Sequence, residues 1–246
     1  MNNNEFLESI KEMYKEYLNT HRRSSAKLLP FHGNIASDLQ DRLGEQYKVF
    51  SLGYGEGKEK NISGRYMEKK VDISIFKKNG NLLEEIGGIA VKSIMTNYAQ
   101  NANNYFENML GETANLRSTQ KKYFQIFVLP EVVPYFGDKK IGDIKKKDVV
   151  VKNEKLNIDK LNKYLKLSYD NIAEFLHTPN KTLLYLIKTM NPINTDNNPT
   201  RDEWVNYAKQ NLNIQLSSQS MDFGRAIVYN NYEQFIEKVI HAILAV

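Results

Sequence analysis

The sequence predicts an α/β fold, in which a mixed central sheet containing a β-hairpin is flanked by helices and the C-terminal half is helical. Apolar and polar residues alternate over residues 71–76, and a second strand pattern at 82–94 follows an Asn-Gly turn. This combination is the strongest short-range sequence signal for a hairpin. A helical segment and then a buried strand come next, an order of elements that is typical of α/β proteins.

The composition is that of an ordinary globular protein. The 246 residues are 41% hydrophobic and 26% charged, enough to bury a sizeable core, and we expect one domain over residues 1–246. The absence of cysteine excludes disulfides, thiolate zinc sites and cysteine nucleophiles. The first residues lack the basic and apolar parts of a secretion signal, and no apolar stretch is long enough to span a bilayer. We therefore expect a cytoplasmic protein without membrane contact.

The N-terminal part is predicted to contain two helices and a loop. Residues 5–19 place apolar side chains at helical spacing. Asn34 or Ser37 can cap a second helix that runs to about residue 46. Residues 51–64 carry four glycines and many charges, so we expect an exposed loop rather than a phosphate-binding loop, which would need a Gly-Lys-Ser/Thr ending.

The core of the fold is expected at about residues 34–135. After the hairpin, a polar helix is predicted at 99–116 and a buried strand at 123–129, where Pro130 ends it. The remainder, about 156–246, is predicted to be helical and to follow a charged link at 139–155. Its predicted helices cover residues 158–176, 181–190, a segment that begins with a capping box at Thr200 and Glu203, and 232–244.

Two charged residues interrupt the apolar strands of the hairpin. Asp72 lies between Val71 and Ile73, and Lys92 lies in a second apolar run, so burying either is costly unless it is paired or used. Residues near 72 and 87 are expected to lie opposite each other. Lys92 then reaches Asp72 only if the second strand is longer or bends, and Gly87-Gly88 can supply the bend. The two residues form either a structural ion pair or a functional site.

This arrangement resembles the core of the PD-(D/E)XK nucleases over about residues 64–130. The shared features are an aspartate in one strand, a hairpin turn and a lysine in the next strand. The resemblance implies that the aspartate and a second acid bind a divalent metal, and that the lysine stabilises or activates the attacking water. Here the acid-x-Lys motif is Ala90-Val91-Lys92, so the second acid is missing from its usual place.

Several restriction enzymes of that family take the missing acid from the following helix, which is polar here. Glu107, fifteen residues after Lys92, is our choice for this acid and Glu112 the second candidate. The resemblance thus implies Asp72, Lys92 and Glu107 as catalytic residues, and Asp72, Glu107 and Glu112 as ligands of Mg²⁺. The remaining alternatives are Glu68, Glu85 and Glu84, of which strand alternation places Glu84 on the Lys92 face.

The resemblance further implies a type II restriction endonuclease of a restriction–modification system, a homodimer that cuts both strands of duplex DNA. The rival functions are a non-catalytic DNA-binding module and a repair or phage nuclease with the same core. The four histidines (21, 32, 177 and 241) lack metal-binding spacing and are expected to be surface or capping residues. The candidate DNA contacts are Asn97, Asn101, Asn104, Arg117 and Arg201.

Overall fold

Within the part of the chain that the structure describes, seven strands form one mixed sheet that carries helices on both faces. The computed structural model describes residues 1–20 and 28–245. The helices are α1 (Asn3–Asn19), α2 (Leu29–Leu43), α3 (Tyr98–Arg117), α4 (Asn162–Ser168), α5 (Arg201–Asn211) and α6 (Tyr232–Leu244). The strands are β1 (Tyr47–Ser51), β2 (Lys60–Ser63), β3 (Glu68–Val71), β4 (Ile73–Asn79), β5 (Leu82–Ser93), β6 (Lys122–Pro130), β7 (Val132–Ile141), β8 (Ile144–Lys155), β9 (Lys181–Lys188), β10 (Gln215–Leu216) and β11 (Ile227–Tyr229).

The sheet has the strand order β1-β4-β5-β6-β9-β10, with β11 also paired to β9. Strands β1, β4 and β5 are antiparallel neighbours, whereas β5, β6, β9 and β11 run parallel. The ribbons β2–β3 and β7–β8 are separate from this sheet. Because β5 and β6 are parallel, their carboxyl ends lie at the same edge, and the β7–β8 ribbon leaves the sheet there.

Alternate residues of the central strands face two helical layers, as the two-residue repeat of a strand requires. On one face, Ile89 and Ile126 pack in a core with buried residues of α1, α2 and α6. On the other face, Phe127 and Leu184 pack with residues of α3 and α4. Complete burial of each such side chain contributes about 2 kcal/mol to folding. The predicted mixed α/β class is therefore confirmed.

A buried polar contact joins α2 to α6 within the first layer. The Tyr232 hydroxyl donates a hydrogen bond to Asp38 at 2.8 Å, and Arg42 Nε donates to the same carboxylate at 3.0 Å. The Tyr232 ring stacks on Phe6 of α1 with centroids 4.2 Å apart. These contacts fix α2 against its neighbours, which matters because α2 carries a site residue.

The predicted hairpin is present as β4 and β5, with a β-bulge in the longer strand. The register shifts between Ile75 and Phe76, so Ile86 has no partner across β4. The adjacent Gly87 has φ +149°, and a Cβ there would collide with the Lys122 carbonyl oxygen of β6. The bend predicted at the glycine pair thus lies at residues 86–87.

The bulge changes which glutamate shares a face with Lys92. Phe76 is paired in register with Glu85, and it lies in the same small core cluster as Ala90. Because Ala90 and Lys92 are two residues apart in one strand, both point to that face. The expectation that Glu84 shares the Lys92 face is therefore wrong, because simple alternation does not continue through a bulge.

The C-terminal half is not simply helical. The helix predicted at 181–190 is the buried strand β9, and the charged link at 139–155 is mostly strand β8. The helix predicted at 158–176 is limited to α4, while α5 and α6 lie where the capping box and the terminal pattern predicted them. Periodicity cannot distinguish a short apolar run in a doubly covered parallel strand from a helix segment. The central sheet therefore extends beyond residues 34–135.

Two N-terminal boundaries also differ from the expectation. Helix α2 begins at Leu29, with Pro30 in its first turn, rather than at Asn34 or Ser37. The predicted loop at 51–64 ends in strand β2. Among the described helices, none has the length and apolar character needed to cross a lipid bilayer.

Candidate metal centre

Asp72 lies where the chain passes from β3 to β4, between the small ribbon and the central sheet. Its Oδ2 accepts a hydrogen bond from the Val91 amide of β5 at 2.7 Å. Ser51 Oγ of β1 donates to the Asp72 carbonyl at 2.7 Å. The carboxylate is thus fixed against β5 and the backbone of Asp72 against β1, and the residue is half-buried.

Lys92 lies near the carboxyl end of β5, three residues beyond Ile89, whose partner in β4 is Ile73. Strand β5 has 12 residues and β4 has 7, so the second strand is both longer and bent, the two features that let Lys92 reach Asp72. The half-buried ammonium acts electrostatically on two other groups: it adds to the lowering of the His32 pKa that burial causes, and it opposes the raising of the Glu59 pKa that burial causes. Lys92 therefore belongs to the same cluster as Asp72.

His32 enters this cluster from α2 and is fully buried, contrary to the expectation of a surface or capping residue. Within the described part of the chain, neither ring nitrogen has a hydrogen-bond partner. Burial lowers the pKa of His32, an effect that Asp72 opposes and Lys92 reinforces. The imidazole is therefore neutral at neutral pH, the form that can ligate a metal.

Glu59 reaches the cluster from the glycine-rich loop before β2. Burial raises the pKa of Glu59, and the neighbouring Asp72 carboxylate raises it further, while Lys70 and Lys92 lower it. The loop packs closely on α2: Gly53 has φ +76°, and a Cβ there would collide with the Leu29 carbonyl oxygen. A Cβ at Gly33 would in turn lie 2.7 Å from the Gly53 carbonyl oxygen. This contact brings the loop and α2 together.

His32, Glu59 and Asp72 offer ligand atoms that all lie within 4.8 Å of one another. Two carboxylates suit Mg²⁺, and an added imidazole also suits Mn²⁺ and other first-row metals. The fit of a cation is supported by His32, because a buried ring without hydrogen bonds is costly and metal ligation would satisfy one nitrogen. The residues present are therefore suited to a divalent cation.

Glu107 and Glu112 do not belong to this three-residue group. Glu107 is exposed on α3 and acts on Lys163 of α4, whose pKa is lowered by burial and raised by Glu107. Glu112 accepts hydrogen bonds from Lys69 Nζ at 2.5 Å and from Tyr123 Oη at 2.9 Å. The polar helix thus directs Glu107 to α4, and the acid beside Asp72 comes from the loop before β2.

The three alternative glutamates occupy other positions. Glu68 accepts a hydrogen bond from Asn61 Nδ2 at 2.9 Å. Glu85 accepts from the Ser63 amide at 2.9 Å, and so ties β5 to the β2–β3 ribbon. Glu84 is exposed and paired in register with Lys77, near the hairpin turn. None of the three is part of the group that contains Asp72.

Three of the predicted DNA contacts are engaged within the protein. Asn97 exchanges hydrogen bonds of 2.9 Å with the Phe136 amide and carbonyl. Arg117 donates to carbonyl oxygens in the loop at 172–178. Arg201 binds Asp148 through Nε at 2.6 Å and through a second nitrogen at 3.0 Å. These side chains hold loops and the β7–β8 ribbon in position.

The two remaining candidates lie on α3. Asn101 donates to the Asn97 carbonyl at 3.3 Å and lines a cavity of about 220 Å³ beside Ser93. Asn104 is exposed. Of the five candidates, Asn101 and Asn97 line this cavity together with Ser93, the last residue of β5 and the neighbour of Lys92 in the chain.

His32 and Glu59 are not among the site residues that the sequence predicts. A helix that starts at Leu29 puts His32 on one face with Ile35, Ala36 and Leu39, so an earlier start would have indicated a buried histidine. No local signal singles out Glu59 within its charged loop. Of the other histidines, His177 lies 3.8 Å from Asp170, His241 is exposed and His21 lies outside the described residues.

Comparison of the chain with protein-family models, with curated proteins and with solved structures finds no significant match.

Proposed function

We propose that this protein is a divalent-metal-dependent nuclease that hydrolyses phosphodiester bonds of duplex DNA. The observation that carries the proposal is the group of His32, Glu59 and Asp72, with Lys92 beside it on a hairpin strand. Two half-buried carboxylates and a buried neutral imidazole in one place are costly to fold. Such a cost is typical of functional sites, where pKa values are perturbed.

The residues have distinct parts in this proposal. Asp72, Glu59 and the neutral His32 would hold the cation, and Glu59 takes the role of the acid that is missing at Ala90. When bound, a divalent cation polarises the scissile phosphate and lowers the pKa of a coordinated water. The Lys92 ammonium stabilises the negative charge that gathers on the pentavalent phosphorus. The backbone amide of Val91 keeps the Asp72 carboxylate oriented.

The proposal also covers the catalytic element, the cation, the type of enzyme and its oligomeric state. The β4–β5 hairpin is the catalytic hairpin, the cation is Mg²⁺ or Mn²⁺, and the enzyme is a site-specific type II restriction endonuclease that acts as a homodimer. The resemblance to PD-(D/E)XK nucleases supports this reading through Asp72 and Lys92. Glu59 rather than Glu107 is proposed as the second acid, because Glu59 lies in the group that contains Asp72.

The test is cleavage of DNA of varied sequence with Mg²⁺, with Mn²⁺ and with EDTA. We expect discrete fragments with either metal and none with EDTA. Asp72→Asn and Glu59→Gln are each expected to reduce the rate about 10²–10³-fold, the loss typical of a removed transition-state contact. Glu107→Gln is the matched control, because it changes an exposed glutamate of α3 that acts electrostatically on Lys163 of α4, and its rate should match the wild type.

Two results would overturn parts of the proposal. No cleavage with any metal, by a protein that nevertheless binds DNA, would support the non-catalytic DNA-binding rival. Loss of activity in Glu107→Gln with retention in Glu59→Gln would return the second acid to α3.

A further inference from the structure

We propose that the β7–β8 hairpin is the arm through which this protein binds the phosphate backbone of duplex DNA beside the metal centre. The inference rests on the proposed function, because it names the element that holds that site's substrate. It is carried by three features of the hairpin, namely its charge, its internal repulsion and its place at the sheet edge.

The tip of the hairpin concentrates positive charge. Residues 138–147 contain five lysines and two aspartates, a net charge of +3, while the whole chain carries +5. Lys139, Lys140, Lys145 and Lys147 are exposed. A dense cluster of lysines at an exposed tip is the electrostatic pattern expected of an element that neutralises phosphates.

The lysines face one another across the two strands. Lys139 is paired in register with Lys146, and Lys140 with Lys145. Like charges directly opposite each other destabilise a hairpin. Two contacts offset this repulsion in part: Asp138 contacts Lys145 at 3.0 Å, and Lys146 donates a hydrogen bond to the Asn198 carbonyl at 3.0 Å. A local arrangement that disfavours folding points to a function. A bound polyanion would neutralise the lysines and so relieve their repulsion.

The hairpin leaves the sheet at the edge that carries Lys92. Strand β7 follows β6 directly, and β6 pairs in parallel with the Lys92 end of β5. Asn97, five residues after Lys92, binds the Phe136 backbone on both sides and also bonds to the Pro134 carbonyl. The base of the arm is therefore fixed at the same edge of the sheet as Lys92.

The base of the arm packs against helix α5. The Arg201 guanidinium lies 3.7 Å from the Phe136 ring centroid and binds Asp148 of β8, and Trp204 packs edge-on against Phe136. Beyond Phe136 the two strands extend by about five residues, roughly 17 Å. A two-stranded ribbon of this kind fits the B-DNA major groove, which is about 12 Å wide.

The experiment compares two double variants for binding to a mixed-sequence DNA duplex in EDTA, where nothing is cut. Lys140→Ala/Lys145→Ala removes one facing pair from the arm. Lys77→Ala/Lys78→Ala is the matched control, because it removes two lysines from the turn end of the β4–β5 hairpin, at the far end of β5 from Lys92. Thermal unfolding of both variants confirms that they fold.

We expect the arm variant to bind at least about tenfold more weakly near 0.1 M salt, with the slope of log K against log salt reduced by about two. The control should retain the wild-type affinity and slope. Equal effects of both variants, unchanged affinity of the arm variant, or no affinity of the wild type for the duplex would overturn the inference. If the arm variant binds more weakly but the wild type does not cleave DNA, only the nuclease proposal is overturned. If the wild type cleaves DNA and the arm variant keeps both cleavage and affinity, only the inference about the arm is overturned.

Discussion

Lys92 and Asp72 are held in different ways, and this difference gives each a separate test. The Asp72 carboxylate is fixed by the Val91 amide, whereas the Lys92 ammonium lies at the end of a flexible stem beside other charged groups. A flexible cation contributes to catalysis when negative charge develops near it, more than to ground-state binding.

Lys92→Ala is therefore expected to slow cleavage by about 10²–10³-fold while leaving DNA affinity nearly unchanged. Cleavage rates with metal and duplex binding in EDTA measure the two effects. Lys122→Ala, a change at the start of β6, is the control and should alter neither. Loss of binding together with cleavage, in a folded variant, would assign Lys92 to phosphate anchoring.

His32 predicts a specific pH dependence of stability without metal. Burial lowers the pKa of His32 in the folded state below the value of about 6.5 in an unfolded chain. As the pH falls through about 6.5, the unfolded state binds a proton first, so the free energy of unfolding decreases.

In EDTA, the wild type should lose more stability between about pH 7 and pH 5 than His32→Gln, which has no proton to bind at this position. Denaturant unfolding at both pH values gives the comparison. His177→Gln, a change at a half-exposed ring, is the control and should behave as the wild type. Parallel pH profiles of His32→Gln and wild type would contradict the assignment of a buried neutral imidazole.

Asp72 and Lys92 could be predicted from the sequence because each places a charge inside an apolar strand pattern. His32 and Glu59 could not be predicted, since they come from a helix and a loop that only long-range packing brings to the hairpin. Glu107 lies on a polar helix as the sequence indicated, but the rotation of that helix about its axis was not encoded in any local pattern.

Among the elements, the glycine loop before β2 determines how α2 and Glu59 meet. Gly53 and Gly57 both have positive φ, of 76° and 65°. A Cβ at Gly53 would collide with the Leu29 carbonyl, whereas a Cβ at Gly57 has nothing within 4 Å. A substitution at Gly57 therefore tests backbone strain alone, whereas a substitution at Gly53 tests backbone strain together with close packing against α2.

Gly57→Ala is expected to cost only the strain of a positive φ, about 1 kcal/mol. Gly53→Ala should cost more, because the loop must also move away from α2, and it should weaken the binding of Mn²⁺. Chemical denaturation and titration calorimetry measure the two quantities. Equal losses in both variants would show that the close approach to α2 has no separate effect.

The elements that the sequence predicted best are those with strong local signals. The hairpin follows from its Asn-Gly turn, α5 from its capping box and α6 from its amphipathic pattern. Strand β9 was mistaken for a helix, because both of its faces are covered and its apolar run has no two-residue alternation.

At the scale of the whole molecule, the proposed function sets the oligomeric state. A single metal centre cuts one strand at a time, and cutting both strands of a palindromic site requires two centres related by a twofold axis. The sequence could not predict the order of strands in the sheet, since β9 joins it from more than fifty residues after β6.

We therefore expect the protein to sediment as a dimer, alone or on a DNA duplex that contains its site. Analytical ultracentrifugation with and without the duplex measures this. A strict monomer in both conditions, together with cleavage, would favour the repair or phage nuclease with the same core.

The bulge at residues 86–87 also sets how the hairpin can change over evolutionary time. Deleting one residue there would restore a regular strand. The side chains on one side of the deletion along the strand would then point to the opposite face of the sheet, so either Lys92 or the apolar residues beside it would face the wrong layer. Outside Gly87 and Gly88, where an added Cβ would collide with neighbouring backbone, substitutions in β5 affect one side chain at a time, whereas a change in its length affects many. Insertions and deletions of single residues should therefore be rarer in this strand than replacements of single residues, even at its exposed end.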